Sequence, residues 1–172
     1  MTRRHLRLTY PEQGATRDAA LPQGYSHLTS VTDLGSGAAA FALASSALLS
    51  WQMHRGAGVA VQPPGAGIAP GVRVTLRWGF GPVRVSAPCE VLYLVDEEDR
   101  GFAYGTLTGH PEVGEERFTV EHRQDDSVVL VIGAFSRPGP WWSRAAAPLS
   151  RAVQHHIVAA YGRSLKAALA AR

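Results

Sequence analysis

The strongest constraint on the fold is a change in the spacing of apolar residues along the chain. Between residues 72 and 135, apolar and polar residues mostly alternate, as they do in strands that bury one face. The clearest example is the segment Val72, Val74, Leu76 and Trp78. Helical spacing appears before and after this run, not within it. Strands and helices in separate runs predict an α+β fold, with helices on one face of an antiparallel sheet.

About seven strands are predicted. Pro88 favours a bend or bulge near the start of the fourth strand, and Thr108–Glu116 is predicted as the longest loop of the run, because it is polar and contains glycine. The predicted strands are Tyr25–Leu34, Val72–Trp78, a return strand from Val83, Cys89–Val95, Phe102–Leu107, Arg117–His122 and Val128–Phe135.

Two helices are predicted, and the second is long. The first spans Ala38–His54 and ends before Gly56, where helices commonly stop. In the C-terminal helix, Gly162 implies a packing or kinking requirement, because an interior glycine costs about 1 kcal/mol relative to alanine. Apolar residues recur there at every fourth position: Leu149, Val153, Ile157, Tyr161, Leu165 and Leu169. A curved antiparallel sheet wrapped on one long helix is the helix-grip arrangement, which tends to leave an apolar cavity between sheet and helix.

The length of 172 residues predicts one domain, residues 1–172, with residues 1–24 wrapping its surface. The single cysteine, Cys89, excludes an intrachain disulfide and most structural zinc sites. No metal site and no cofactor are predicted.

Charge and hydropathy argue against two classes of partner. The net charge is +3, but the basic residues are dispersed, so no nucleic-acid surface is expected. The longest apolar stretch, Ala38–Trp51, contains three serines and is shorter than the roughly 20 residues of a membrane span. No secretory signal is expected, and the predicted location is cytoplasmic. The sequence leaves the oligomeric state open.

Several phrases of the sequence carry a family resemblance: Tyr10-Pro-Glu-Gln-Gly-Ala-Thr16, Ala57-Gly58-Val59, Gly101-Phe-Ala-Tyr-Gly-Thr-Leu107, Gly109-His-Pro-Glu-Val-Gly-Glu-Glu116 and Phe135-Ser-Arg-Pro138. They resemble the uncharacterised family called domain of unknown function nineteen-ninety (DUF1990), and the resemblance covers the chain from about Tyr10 to Ala168. The family is similar to the START and Bet v 1-like helix-grip superfamily, so the resemblance implies the fold predicted above. It implies no established activity.

The strongest candidate for a catalytic site is the predicted loop that contains His110, Glu115 and Glu116. An imidazole beside carboxylates is suited to proton transfer, so these three residues are the candidate catalytic groups. The same groups with His122 could ligate a divalent metal, although their spacing matches no established metal signature. A third interpretation is a solvated hairpin without chemistry.

The leading hypothesis is binding of a small apolar or amphipathic molecule in the cavity, oriented by a few polar groups. The alternative is a cyclase, isomerase or hydrolase that uses His110 with Glu115 or Glu116. A third hypothesis is an interaction module that docks a partner through Trp141 and Trp142. The candidate ligand-binding residues are Trp51, Trp78, Tyr104, Thr106, Arg137, Trp141 and His156, with further aromatic residues expected around the cavity at Phe41, Tyr93, Phe102 and Phe118.

Overall fold

The computed structural model of the chain describes residues 6–80, 82–140, 143–144 and 147–171. A seven-stranded sheet dominates it, in the order β1-β7-β6-β5-β4-β3-β2, and every neighbouring pair is antiparallel. The predicted α+β helix-grip architecture is therefore confirmed. The strands are β1 (Ser26–Ser36), β2 (Ala60–Gln62), β3 (Arg73–Phe80), β4 (Val83–Asp96), β5 (Arg100–Thr106), β6 (Glu112–His122) and β7 (Ser127–Pro138).

Of the described chain, the α-helices α1 (Gly37–Leu49), α2 (Gln52–Gly56) and α3 (Ala147–Ala170) pack on one face of the sheet. We call this the inner face and the opposite one the outer face. The core forms where the helices cover the inner face, around fully buried side chains such as Leu48, Phe102 and Phe118. Among the described helices, none is long and apolar enough to cross a membrane.

The single helix predicted over Ala38–His54 is wrong, because the chain turns at Trp51. Trp51 adopts a left-handed backbone conformation, with φ of 62°, which ends α1 and starts α2. Its side chain is 1% exposed and its indole N–H donates to the carbonyl of Ala66 at 3.1 Å. The turn lets Leu48 and His54 both enter the core, and local helix propensity carries no signal for this.

The predicted loop Thr108–Glu116 is also wrong in its second half. Strand β6 begins at Glu112 and pairs with β7 from there onward, so Glu115 and Glu116 lie on a strand. The segment lacks the alternation of apolar and polar residues that is typical of a strand, because both faces carry a glutamate. Glu115 points to the outer face and Glu116 to the inner face.

Strand β4 runs without a break through Pro88, which pairs with Thr75. Its register irregularity lies between Val91 and Tyr93, not beside the proline. This shift places Tyr93 on the outer face, away from the cavity where an aromatic lining residue was expected. The short strand β2 was not predicted.

Gly162 has the packing role that the sequence implied. A Cβ atom at this position would lie 2.6 Å from Oγ1 and 3.0 Å from Cγ2 of Thr32 on β1. The absence of a side chain therefore allows α3 to approach the sheet closely at this point.

Candidate functional site

A cavity of about 340 Å³ lies between the inner face and α3. Its floor comes from five strands and the β5–β6 hairpin, and its roof comes from one face of α3. Most of the surface that lines the described cavity is apolar. The lining residues on which the site depends are Trp78, Tyr104, Thr106, His110, Glu112, Glu116, Ser136, Val153, Gln154 and Tyr161.

Adjacent residues of β6 divide the two candidate carboxylates between the faces, because successive strand side chains point in opposite directions. Glu116 pairs with Tyr104 and Ala134 and points to the cavity, whereas Glu115 sends its carboxylate to the outer face. His110, Glu115 and Glu116 therefore do not form one cluster, because the carboxylate of Glu115 lies on the opposite side of the sheet.

Glu116 lies in a largely apolar environment, where one described side chain, that of Tyr104, is in hydrogen-bonding contact with it. The Tyr104 hydroxyl donates to Oε2 of Glu116 at 2.8 Å. Burial raises the pKa of Glu116 to about 7, against the opposing effect of the Tyr104 hydrogen bond. Burial and the nearby Glu116 charge also raise the pKa of the Tyr104 and Tyr161 hydroxyls well above their usual range.

Glu115 is 2% exposed and has a very different set of partners. Its Oε2 accepts hydrogen bonds from the Tyr10 hydroxyl at 2.8 Å and the Gly14 N–H at 2.7 Å. Its Oε1 accepts from the Thr16 N–H at 3.0 Å and from the Thr16 hydroxyl. These contacts attach residues 10–16 to the outer face. Glu115 therefore has a structural role, since its four donors all come from this segment.

The outer-face contact also depends on a small residue beneath Tyr10. A Cβ at Gly105 would lie 3.1 Å from Cζ of Tyr10 and 2.9 Å from Cδ2 of Leu8. The Tyr10 ring additionally meets Phe135 edge to face at 5.5 Å. Two of the phrases noted in the sequence, Tyr10–Thr16 and Gly109–Glu116, are thus joined in space through Glu115.

His110 lines the cavity at the hairpin, and its ring orientation is set by its own loop. Nδ1 lies 2.9 Å from both the backbone nitrogen and the carbonyl oxygen of Glu112. Burial lowers the pKa of His110 to about 4, so the ring is neutral at pH 7. Thr106 also lines the cavity, and its hydroxyl accepts the Gly114 N–H at 3.0 Å and pairs with the Thr9 hydroxyl at 2.6 Å.

The other predicted ligand-binding residues lie in different places. Trp78 lines the cavity, whereas Trp51 is packed in the core beside Phe102. His156 is exposed on α3 and is not among the lining residues. Arg137 borders a second, shallower pocket and lies 5.0 Å above the Tyr25 ring. Trp141 and Trp142 lie outside the described residues.

Sequence reasoning missed two residues close to the site. Tyr161 belongs to the series of apolar residues at every fourth position of the C-terminal helix. This spacing is the signal that its side chain faces the sheet. His54 carried no signal: it is fully buried among aromatic rings, with its ring centroid 4.7 Å from that of Tyr161. Neither ring nitrogen has a hydrogen-bond partner among the residues that the structure describes, and burial lowers the pKa of His54 to about 3.

Within the part of the chain that the structure describes, no three His, Cys, Asp or Glu side chains are grouped so that they could hold a metal ion. His122, considered above as a ligand, instead contacts Asp126 at 2.7 Å on the surface.

Solved structures with the same fold cover most of the chain. A hypothetical protein from Helicobacter pylori superimposes with a TM-score of 0.62 at 12% identity, covering 97% of this chain and 98% of that one. The ginseng major latex-like protein 151 from Panax ginseng gives 0.55 at 13% identity, covering 83% and 96%. A norcoclaurine synthase from Thalictrum, solved with a transition-state analogue, gives 0.50 at 12% identity, covering 84% and 97%. These likenesses show the helix-grip, Bet v 1-like fold.

Sequence relatives extend across kingdoms. A UPF0548 protein from Deinococcus radiodurans is 43% identical over 90 residues, covering 52% of this chain and 44% of the relative. A UPF0548 protein from Arabidopsis thaliana is 30% identical over 138 residues, covering 72% and 63%. The matches therefore span less than two thirds of these relatives. Residues 9–164 match the family described as Domain of unknown function (DUF1990), and the chain belongs to that family.

Proposed function

We propose that the protein binds a small, largely apolar molecule in the cavity between the sheet and α3. The observation that carries the proposal is the cavity itself, whose volume of about 340 Å³ falls in the range of small-molecule sites, about 300–1,000 Å³. Its polar side chains, including Glu116 and Gln154, would orient a ligand whose contacts are otherwise apolar.

The first test is native mass spectrometry of freshly purified protein, compared with its denatured mass. A reproducible excess mass that is lost on denaturation would support the proposal and identify the molecule. The second test titrates the neutral apolar dye N-phenyl-1-naphthylamine and follows its fluorescence. A protein that carries no excess mass and binds no dye would contradict the proposal.

A variant pair on α3 makes this test specific to the cavity. Val153 lines the cavity, so Val153→Trp should fill part of it and weaken dye binding about tenfold. Ala159 is exposed on the same helix, so Ala159→Trp should leave binding unchanged. Equal affinity of the two variants would place the dye elsewhere on the protein.

The alternative function is acid–base catalysis on the bound molecule. Glu116 favours it, because a cavity carboxyl whose pKa is about 7 can give or take a proton near neutral pH. The norcoclaurine synthase, an enzyme by its name, has the same fold, which supports the possibility by analogy only. His110 lines the same cavity and would be the second group.

Two single variants separate binding from catalysis once the copurifying molecule is identified. Glu116→Gln and His110→Ala would be incubated with it, and its chemical conversion followed by mass spectrometry. An enzyme loses conversion in a variant that still retains the molecule. A binding protein converts nothing in either form and differs only in affinity.

A further inference from the structure

The charge of the cavity is opposite to that of the whole chain. The protein carries a net charge of +3, yet none of the described lining residues is a lysine or an arginine. Three glutamates border the described part of the cavity, and Glu112 and Glu116 occupy its side of β6, whereas the carboxylate of Glu115 lies on the outer face. His110 is neutral at pH 7, because burial lowers its pKa to about 4. An anionic ligand would therefore meet two carboxylates and no compensating cation.

Glu116 has hydrogen-bonding capacity that the protein does not use. The Tyr104 hydroxyl donates to Oε2, and among the described residues none donates to Oε1. A carboxylate can accept about four hydrogen bonds, and one left underused in an apolar setting is costly. Glu115 on the same strand shows how this fold satisfies a carboxylate that has only a structural role, with four donors.

Two tyrosines lie close to the same carboxylate. Tyr104 and Tyr161 line the cavity beside Glu116, and Trp78 lines it from β3. Ring faces attract cations through their quadrupoles, and the attraction strengthens when water is excluded. The combination of a carboxylate with aromatic walls favours an organic cation over a neutral or anionic head group.

We infer that the ligand of this cavity carries a protonated amine on an apolar body, and that Glu116 accepts the hydrogen bonds of the amine. The inference rests on the proposed function, because it specifies the class of molecule bound in the proposed site. The apolar body lies against the side chains of α3 and the inner face. The ammonium donates to Glu116 Oε1 and lies against the Tyr104 and Tyr161 rings.

The test compares three linear probes with one chain length: decylamine, decan-1-ol and decanoate. Each displaces N-phenyl-1-naphthylamine from the full-length protein at pH 8, below its micelle concentration. At this pH the amine is protonated and Glu116 is mostly ionised. Decylamine should bind about tenfold more tightly than decan-1-ol, because a hydrogen bond to a charged group exceeds one between neutral groups. Decanoate should bind most weakly.

Glu116→Gln removes the charge while the amide oxygen can still accept the Tyr104 hydroxyl. It should reduce the preference for the amine over the alcohol to about twofold or less. Glu121→Gln is the matched control, because it removes one negative charge from the outer face of the same strand, where Glu121 faces Arg123 at 3.3 Å. The control should keep the full preference.

The outcomes separate the two proposals. If the dye binds but decylamine shows no advantage over decan-1-ol in the wild-type protein, the amine inference is wrong and the binding function stands. An amine preference that survives Glu116→Gln also overturns the assignment to Glu116. If the protein binds no dye and carries no excess mass, the proposed function fails first.

Discussion

Two neighbouring glutamates on β6 occupy opposite faces of one sheet and experience opposite conditions. Glu115 is sealed beneath residues 10–16 and accepts four hydrogen bonds. Glu116 faces a cavity and accepts one, from Tyr104, among the described residues. The comparison separates a carboxylate that holds the fold together from one that the fold leaves available. Underused polar groups in native proteins are concentrated at functional sites, which is why we place function at Glu116.

The largest expected effect is on the outer face. In Glu115→Gln the amide NH₂ group would face donors that now contact a carboxylate oxygen. Two or more buried donors, among Tyr10, Gly14 and Thr16, would then lose their partner, so stability should fall by about 3 kcal/mol or more. Urea unfolding at pH 7 measures the loss, and amide hydrogen exchange should show residues 10–16 opening more readily.

The matched control for this variant is again Glu121→Gln. Its side chain lies on the same strand and face but is paired with Arg123 near the surface, so the change should be below about 0.5 kcal/mol. Equal losses in the two variants would mean that the hydrogen bonds of Glu115 contribute no more than an exposed pair.

The next prediction is a gain in stability, from Glu116→Gln, and its size depends on pH. The ordinary glutamate pKa is 4.5, and burial raises that of Glu116 to about 7 in the folded protein. Between these values the unfolded chain releases a proton that the folded protein keeps, so wild-type stability falls as the pH rises. Glu116→Gln has no such penalty. It should match the wild type near pH 4.5 and be more stable by about 3 kcal/mol at pH 8.

Urea unfolding of both proteins from pH 4.5 to pH 8 checks this prediction. A difference that stays constant across the range would show that Glu116 titrates alike in the folded and unfolded chains. A gain in stability together with a loss of amine preference would indicate that the protein retains a costly group for binding.

The sequence predicted the architecture well because its signals are local. The alternation of Val72, Val74, Leu76 and Trp78 depends only on which side chains are buried along one strand, and β3 has that pattern. The cavity-facing position of Tyr104 likewise follows from strand periodicity. Family resemblance and periodicity pointed to the same helix-grip fold.

The partition of the two glutamates could not be predicted, since it depends on contacts distant in the sequence. The donors to Glu115 lie about 100 residues earlier, and no pattern near residue 115 indicates them. The same is true of His54, whose aromatic surroundings come from the turn at Trp51 and from β5, β6 and α3. The turn at Trp51 was missed because tertiary packing overrides helix propensity there.

The smallest expected effect on stability is at the contact between α3 and β1. Helix α3 stands away from the sheet over the cavity near Val153 but touches β1 at Gly162, where an added Cβ would lie 2.6 Å from Thr32 Oγ1. Gly162→Ala gains about 1 kcal/mol of helix propensity but should lose more to this overlap, for a net loss of about 1 kcal/mol. Combining it with Thr32→Ala should recover most of the loss, with a coupling above about 0.5 kcal/mol in urea unfolding. If Gly162→Ala stabilises the otherwise wild-type protein, α3 is not closely packed on β1 at Gly162. The contact with Thr32 would then not determine where the helix approaches the sheet.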